Sequence, residues 1–244
     1  MTAALNVRET ADIETSSADY ARRFAGRAGE YLLRVQSQSI ERAIADMRPG
    51  TVLDVGGAHG QLVELFTARG WKVTVAGSDA QCERNLRDLH GKRDCEFVHA
   101  NLLELPFDAG SFDLVISVRL ISHVAAWQAL LRELCRVARG TVVIDYPSVK
   151  GLNALTPLMF GMKKAMEGNT RTYTSFSRAE LASVFASASF EVTREVKQFF
   201  LPMVIHRAGR AMPPLRWAEA CARGVGLTAL WGSPVILRAD RAGG

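Results

Sequence analysis

The sequence lacks long apolar runs, is poor in cysteine and aromatic residues, and has few acids in its C-terminal part. No stretch reaches the 18 or so apolar residues that a membrane-crossing helix needs, so no spanning segment is expected. The four cysteines, Cys82, Cys95, Cys135 and Cys221, form no CxxC pair and have no histidine at ligand spacing. They read as reduced thiols, and neither a metal site nor a disulfide scaffold is expected. Glu9, Asp12 and Glu14 stand where a signal peptide would need an apolar core, which points to a cytoplasmic protein. Residues 146–244 hold 13 Lys and Arg against 6 Asp and Glu, whereas residues 1–145 hold 17 against 19. That local excess suits an acidic substrate, an anionic surface or simply a solvated basic face. No basic stripe is interleaved with aromatics, so a nucleic-acid partner is not expected, and neither is a membrane partner.

What is present describes a globular chain. With 48% hydrophobic and 23% charged residues over 244 positions, one sizeable core is within reach and a second domain is not required. Residues 20–47 have helical spacing, in two pieces broken near Gly26 or Gly29. Short apolar runs then alternate with helical stretches. Strands are expected at 51–55, 72–76, 95–99, 112–117 and 141–145, with helices at 61–69, 80–90 and about 125–138. In the last of these helices Trp127, Leu130, Leu131, Leu134 and Val137 share a face. Beyond a Gly-, Asn-, Pro- and Met-rich stretch, Ser177 and Glu180 form a capping box for a helix at 178–188. Strands at 190–196 and 234–239 and a helix after Pro213-Pro214 complete the chain.

Such alternation implies an α/β fold, a doubly wound, mostly parallel seven-stranded sheet with helices on both faces. The expected organisation is one domain over 1–244. It comprises a helical leader or lid (1–50), a cofactor-binding core (51–145), a substrate-cover insertion (146–176) and C-terminal helices and strands (177–244).

The densest motif is VLDVGGAHG, residues 52–60, followed by Asp79 at the end of the next strand. Glycines at a strand-to-helix turn let a ligand approach the backbone, and an acid about 20 residues on can accept both ribose hydroxyls. The dinucleotide spacing GxGxxG fails from Gly56, which needs glycine at Gln61, and from Gly57, which needs it at His59. Tyr146 and Lys150 form a YxxxK pair, yet Pro147 and Gly151 break the helix that a dehydrogenase would require there.

On these residues the sequence resembles the class I S-adenosylmethionine (SAM)-dependent methyltransferases, with their Rossmann-like fold. Asp54, Gly56, Ala58 and Gly60 hold the places of the family's acid and GxGxG, and Gly57 lies within the turn. FVHANLLELPFDAGSFDLVIS (97–117) is similar to the family's LPF…FD segment, and HVAAWQALLRELCRVARG (123–140) to its next helix and turn. The resemblance implies SAM as cofactor, Asp79 on the ribose, and Asn101 and Leu102 beside the adenine, with the Asn101 oxygen accepting from the adenine amino group. Asp54 reads equally as a ligand contact or as a cap for neighbouring amides.

The acceptor of an in-line methyl transfer belongs beyond the carboxyl ends of strands four and five, near Ser117, Arg119, His123, Asp145 and Tyr146. Ser117 is also assigned to the cofactor side. His123, with an ordinary pKa of about 6.5, is the candidate base, or else a helix cap. His59 is a second candidate, and Tyr146 a third. Arg119 needs either a carboxylate of the protein or an anionic part of the substrate. Lys163, Lys164 and Arg171 either hold a phosphate or carboxylate or are solvated. The tetrapeptide Asn/Asp-Pro-Pro-aromatic of nucleobase and glutamine methyltransferases is missing at 117–120, whereas DVGGAHG resembles small-molecule O-methyltransferases. The expected reaction is methyl transfer to an oxygen of a small metabolite or sugar-like acceptor. Transfer to nitrogen or carbon, or a SAM-binding partner protein without turnover, are the alternatives.

Overall fold

The computed structural model describes residues 9–22, 24–57, 60–90, 95–150, 173–208 and 213–243. Among them, three helices, α1 (Ala11–Thr15), α2 (Ala18–Arg22) and α3 (Gly26–Ala43), precede the sheet. There follow β1 (Thr51–Val55), α4 (Gln61–Thr67), β2 (Lys72–Gly77), α5 (Ala80–His90), β3 (Cys95–His99) and β4 (Phe112–Ser117). A 3-10 turn (Ile121–His123), α6 (Trp127–Val137) and β5 (Ala138–Tyr146) complete the parallel part. Beyond it lie α7 (Arg178–Ser187), β6 (Phe190–Lys197), α8 (Met203–Ala208), α9 (Pro213–Gly224), α10 (Leu227–Trp231) and β7 (Val235–Arg241). None of the described helices is long and apolar enough to cross a membrane.

The strands form one seven-stranded sheet in the order β3-β2-β1-β4-β5-β7-β6. β1 to β5 run parallel, and β7 is antiparallel to both β5 and β6. Strands buried on both sides read as continuous apolar runs, and alternate residues divide between two cores. Leu53, Val55, Val115, Val142, Ile144 and Leu237 meet Leu130, Leu131 and Leu134 of α6 and Leu181 and Phe185 of α7. Val52, Val73, Val75, Leu114, Ile116 and Val143 meet Ile40 and Ala43 of α3 and Leu62, Val63 and Phe66 of α4. The helix stripe expected on 127–137 is the buried face of α6, with Trp127 edge-on to Phe176 at 5.0 Å. The capping box forms as expected, Ser177 accepting from the Glu180 N–H while the Glu180 side chain accepts from Ser177.

Some boundaries differ from the sequence reading. The long N-terminal helix breaks at Gly26, whose φ of +68° lies in the left-handed region, and it ends at Ala43. α1 was not expected, because nothing apolar recurs in residues 9–17 until tertiary contacts supply a buried side. β5 begins at Ala138, directly after α6, because Phe112 pairs with Ala138 and extends the ladder backwards. The insertion leaves and returns at one point: the Val149 N–H donates to the Phe176 carbonyl at 3.1 Å, and the Phe176 N–H to that of Pro147 at 2.9 Å. Residues 151–172 between them, with Lys163, Lys164 and Arg171, lie outside the described residues.

Candidate cofactor and acceptor site

The strand order reverses between β1 and β4, so the connections leave in opposite directions and open a crevice at their carboxyl ends. Asp54 lies near the end of β1. The Gly56 N–H donates to the Ala76 carbonyl at 2.8 Å, and a φ of +75° turns the chain there. A Cβ on Gly57 would lie 1.9 Å from Asp54 Oδ2, so only glycine leaves room for that carboxylate beneath the turn. Gly60 then opens α4 from the left-handed region. Ala58 and His59 lie outside the described residues.

Asp54 is 1% exposed, and neither carboxylate oxygen has a hydrogen-bond partner. Burial pushes its pKa up to about 7, opposed by the charge of Arg119. Asp145, at the end of β5, is pushed up to about 6, again by burial and against Arg119. Arg119 stands just beyond β4, between these two strand ends. Its φ of +62° is unusual for a residue with a side chain, and the Asp145 carboxylate fixes it by accepting the Arg119 N–H at 2.5 Å. The guanidinium lies 4.6 Å over the Phe24 ring and donates to Gln61 Oε1. The structure thus supplies protein partners for Arg119.

Asp79 is half-buried, and its Oδ1 caps α5 by accepting the Gln81 N–H at 2.7 Å. Asn101 Oδ1 accepts from Leu103 N at 3.2 Å and Glu9 N at 3.4 Å. With both lone pairs of that oxygen engaged, the amide NH₂ is the end that a ligand would meet. Leu102 is wholly buried in the core, so only its backbone can serve a ligand. Ser117 is also buried, its hydroxyl donating to the Val55 carbonyl at 2.9 Å and tying the ends of β1 and β4 together.

The N-terminal helices close one side of this crevice. Asp12 of α1 is fully buried and accepts from Ser78 N at 2.6 Å and from the Ser78 hydroxyl, one residue before Asp79. Glu9 Oε1 accepts from the N–H groups of Thr10 and Ala11, holding the start of α1 near Asn101. Tyr20 of α2 meets the His123 ring edge-on at 6.5 Å, and Tyr173 meets it at 5.7 Å. His123 therefore sits in an aromatic frame.

Tyr146 is elsewhere: its hydroxyl donates to Glu195 Oε1 of β6 at 2.7 Å, and burial, reinforced by Glu195, raises its pKa. It lies within β5 and not on a helix, so the YxxxK pair is no catalytic unit. The sequence reading missed Asp12, Tyr20, Phe24 and Tyr173. Tyr20 and Phe24, four residues apart before a glycine break, carried a faint signal as one helical face, whereas Asp12 carried none.

Comparison with known proteins agrees with this geometry. Residues 53–144 match the family model described as a methyltransferase domain. An uncharacterised methyltransferase of Mycobacterium sp. (strain KMS) is 30% identical over 153 residues, 59% of this chain and 58% of that protein. A demethylmenaquinone methyltransferase of Clavibacter sepedonicus is 35% identical over 106 residues, 42% of this chain and 43% of that protein. The chain thus spans less than two thirds of the curated relatives it matches. Among solved structures, the magnesium protoporphyrin IX methyltransferase of Synechocystis PCC 6803 with bound SAH superposes with a TM-score of 0.63. The two are 14% identical, covering 95% of this chain and 98% of that one, a likeness of fold. Through residues 53–144 the chain belongs to the class I S-adenosylmethionine-dependent methyltransferases, and S-adenosylmethionine is its cofactor.

Proposed function

We propose that the chain transfers a methyl group from SAM to an oxygen of a small-molecule acceptor, with His123 as general base and Arg119 as anion anchor. The observation that carries the cofactor side is Asp54. A buried carboxylate with two unpartnered oxygens, under a glycine turn and beside a guanidinium, suits a ligand carrying an ammonium next to a carboxylate. The methionine end of SAM is such a zwitterion. Asp79 then takes the ribose hydroxyls, and the Asn101 amide with the Leu102 backbone the adenine.

When bound, the cofactor supplies an electrophilic methyl group on a sulfonium sulfur. The chain has to hold the acceptor atom in line behind it and exclude water. Tyr20 and Tyr173 fix the plane of the His123 ring, and an imidazole nitrogen of His123 takes the proton of the acceptor hydroxyl as the new O–C bond forms. Small-molecule acceptors are supported by the relative named a demethylmenaquinone methyltransferase and by the missing nucleobase tetrapeptide.

A second reading of Arg119 is favoured by its neighbours: it neutralises Asp54 and Asp145 and serves the cofactor, not the acceptor. Kinetics with labelled SAM and a panel of acceptors, the products identified by mass spectrometry, separate these readings. Loss of the His123 base predicts a kcat for His123→Ala lower by about 10²- to 10⁴-fold with SAM affinity kept. Arg119→Ala raises the acceptor KM if it anchors the acceptor, and weakens SAM binding if it serves the cofactor. A product methylated on nitrogen or carbon overturns the oxygen assignment. SAM bound without SAH release from any acceptor identifies a binding protein instead.

A further inference from the structure

Four of the six large apolar side chains exposed among the described residues fall within fifteen residues near the C-terminus. They are Trp217 (72% exposed), Val225 (73%), Leu230 (59%) and Trp231 (47%), far in sequence from the crevice. Trp217, Cys221 and Val225 recur every four residues along and just past α9, and all three face solvent. This exposure does not come from loose docking. The opposite face of α9 is held by Glu219, 1% exposed, which accepts from Phe200 N at 3.0 Å and Leu201 N at 2.9 Å and pairs with buried His206 at 2.9 Å.

The charge around this row has one sign. Residues 197–234 contain Lys197, Arg207, Arg210, Arg216 and Arg223 but a single acid, the inward-facing Glu219. Arg216 and Arg223 are exposed beside the apolar row, and Lys197 Nζ donates to the Leu230 carbonyl at 2.8 Å, at the foot of α10. We propose that α9 and α10 form a docking face for an anionic lipid bilayer, the tryptophans and Val225 entering the headgroup boundary while the arginines meet lipid phosphates. A 12-residue helix with an apolar outer row flanked by cations lies in the plane of such an interface, and tryptophan is the side chain suited to its depth. A symmetric pair of chains fits worse, since an isologous contact would bring these cations against their own copies with no exposed acid of 197–234 between them.

The test is co-sedimentation of the full chain with vesicles of phosphatidylglycerol and phosphatidylcholine in equal parts, against phosphatidylcholine alone. Binding to the anionic vesicles only, reversed by added salt, is expected. A Trp217→Ser, Trp231→Ser double variant loses at least about tenfold in partition while keeping its Tm and SAM affinity. Quenching of wild-type tryptophan emission by spin-labelled lipid gives the same answer with no variant. Failure to bind anionic vesicles, binding unaltered in the double variant, or concentration-dependent dimerisation that buries the tryptophans without vesicle binding overturns the proposal.

Discussion

Asp54 concentrates the physics of the site in one side chain. Burial raises its folded pKa to about 7, well above its value in an unfolded chain, so between about pH 4 and 7 the folded state binds the extra proton. Its contribution to stability is therefore present at low pH and is lost as pH rises toward 7. Asn keeps the shape without the charge. The difference in Tm between Asp54→Asn and the wild type should shift in favour of the variant from pH 5 to pH 8, as read by thermal melts of the ligand-free proteins; a constant difference contradicts the assignment. A bound ammonium needs the ionised carboxylate, so SAM affinity of the wild type should also fall as pH drops below about 7, and that slope should vanish in the variant. At this scale the sequence was legible where the motif is local: Asp54, Gly56, Gly57, Gly60 and Asp79 surround one strand-turn-helix unit and the end of the next strand. It was less so for Arg119, whose two acids arrive from β1 and β5, and for Asn101, whose oxygen is taken by the Glu9 and Leu103 backbone.

Elements differ in how far their sequences announce them. β1, β2, β4 and α6 carry continuous or 3.6-period apolar patterns and form close to where those patterns place them. α1 is defined by one tertiary contact, Asp12 on Ser78, which no local pattern encodes. That contact ties the N-terminal segment to the residue beside the ribose acid. Asp12→Ala removes an acceptor from two buried donors at a cost of about 1–3 kcal/mol. It should weaken SAM binding and expose residues 9–22 to limited proteolysis with little change in the sheet, as hydrogen exchange would show. Unchanged protection of 9–22 would mean that Tyr20 and Phe24, not Asp12, hold the segment down.

Across the whole molecule the strand order explains why residues from so many segments converge. The chain winds outward through β1, β2 and β3, then returns to lay β4 and β5 on the other side of β1, and the crevice at that reversal receives Asp54, Asp79, Asn101, Arg119 and Asp145. The alternating pattern made this topology legible, whereas the antiparallel insertion of β7 between β5 and β6 depends on pairing between segments far apart in sequence. The central claim is that this crevice binds SAM through the β1 turn and the β2 acid, and calorimetric titration of SAM into the wild type and Asp79→Ala tests it most directly. Removing hydrogen bonds to a charged group, worth about 1.5–3 kcal/mol each, should weaken binding by about ten- to more than a hundredfold. Equal SAM affinity in the two proteins, or preference of the wild type for NADH over SAM, contradicts it.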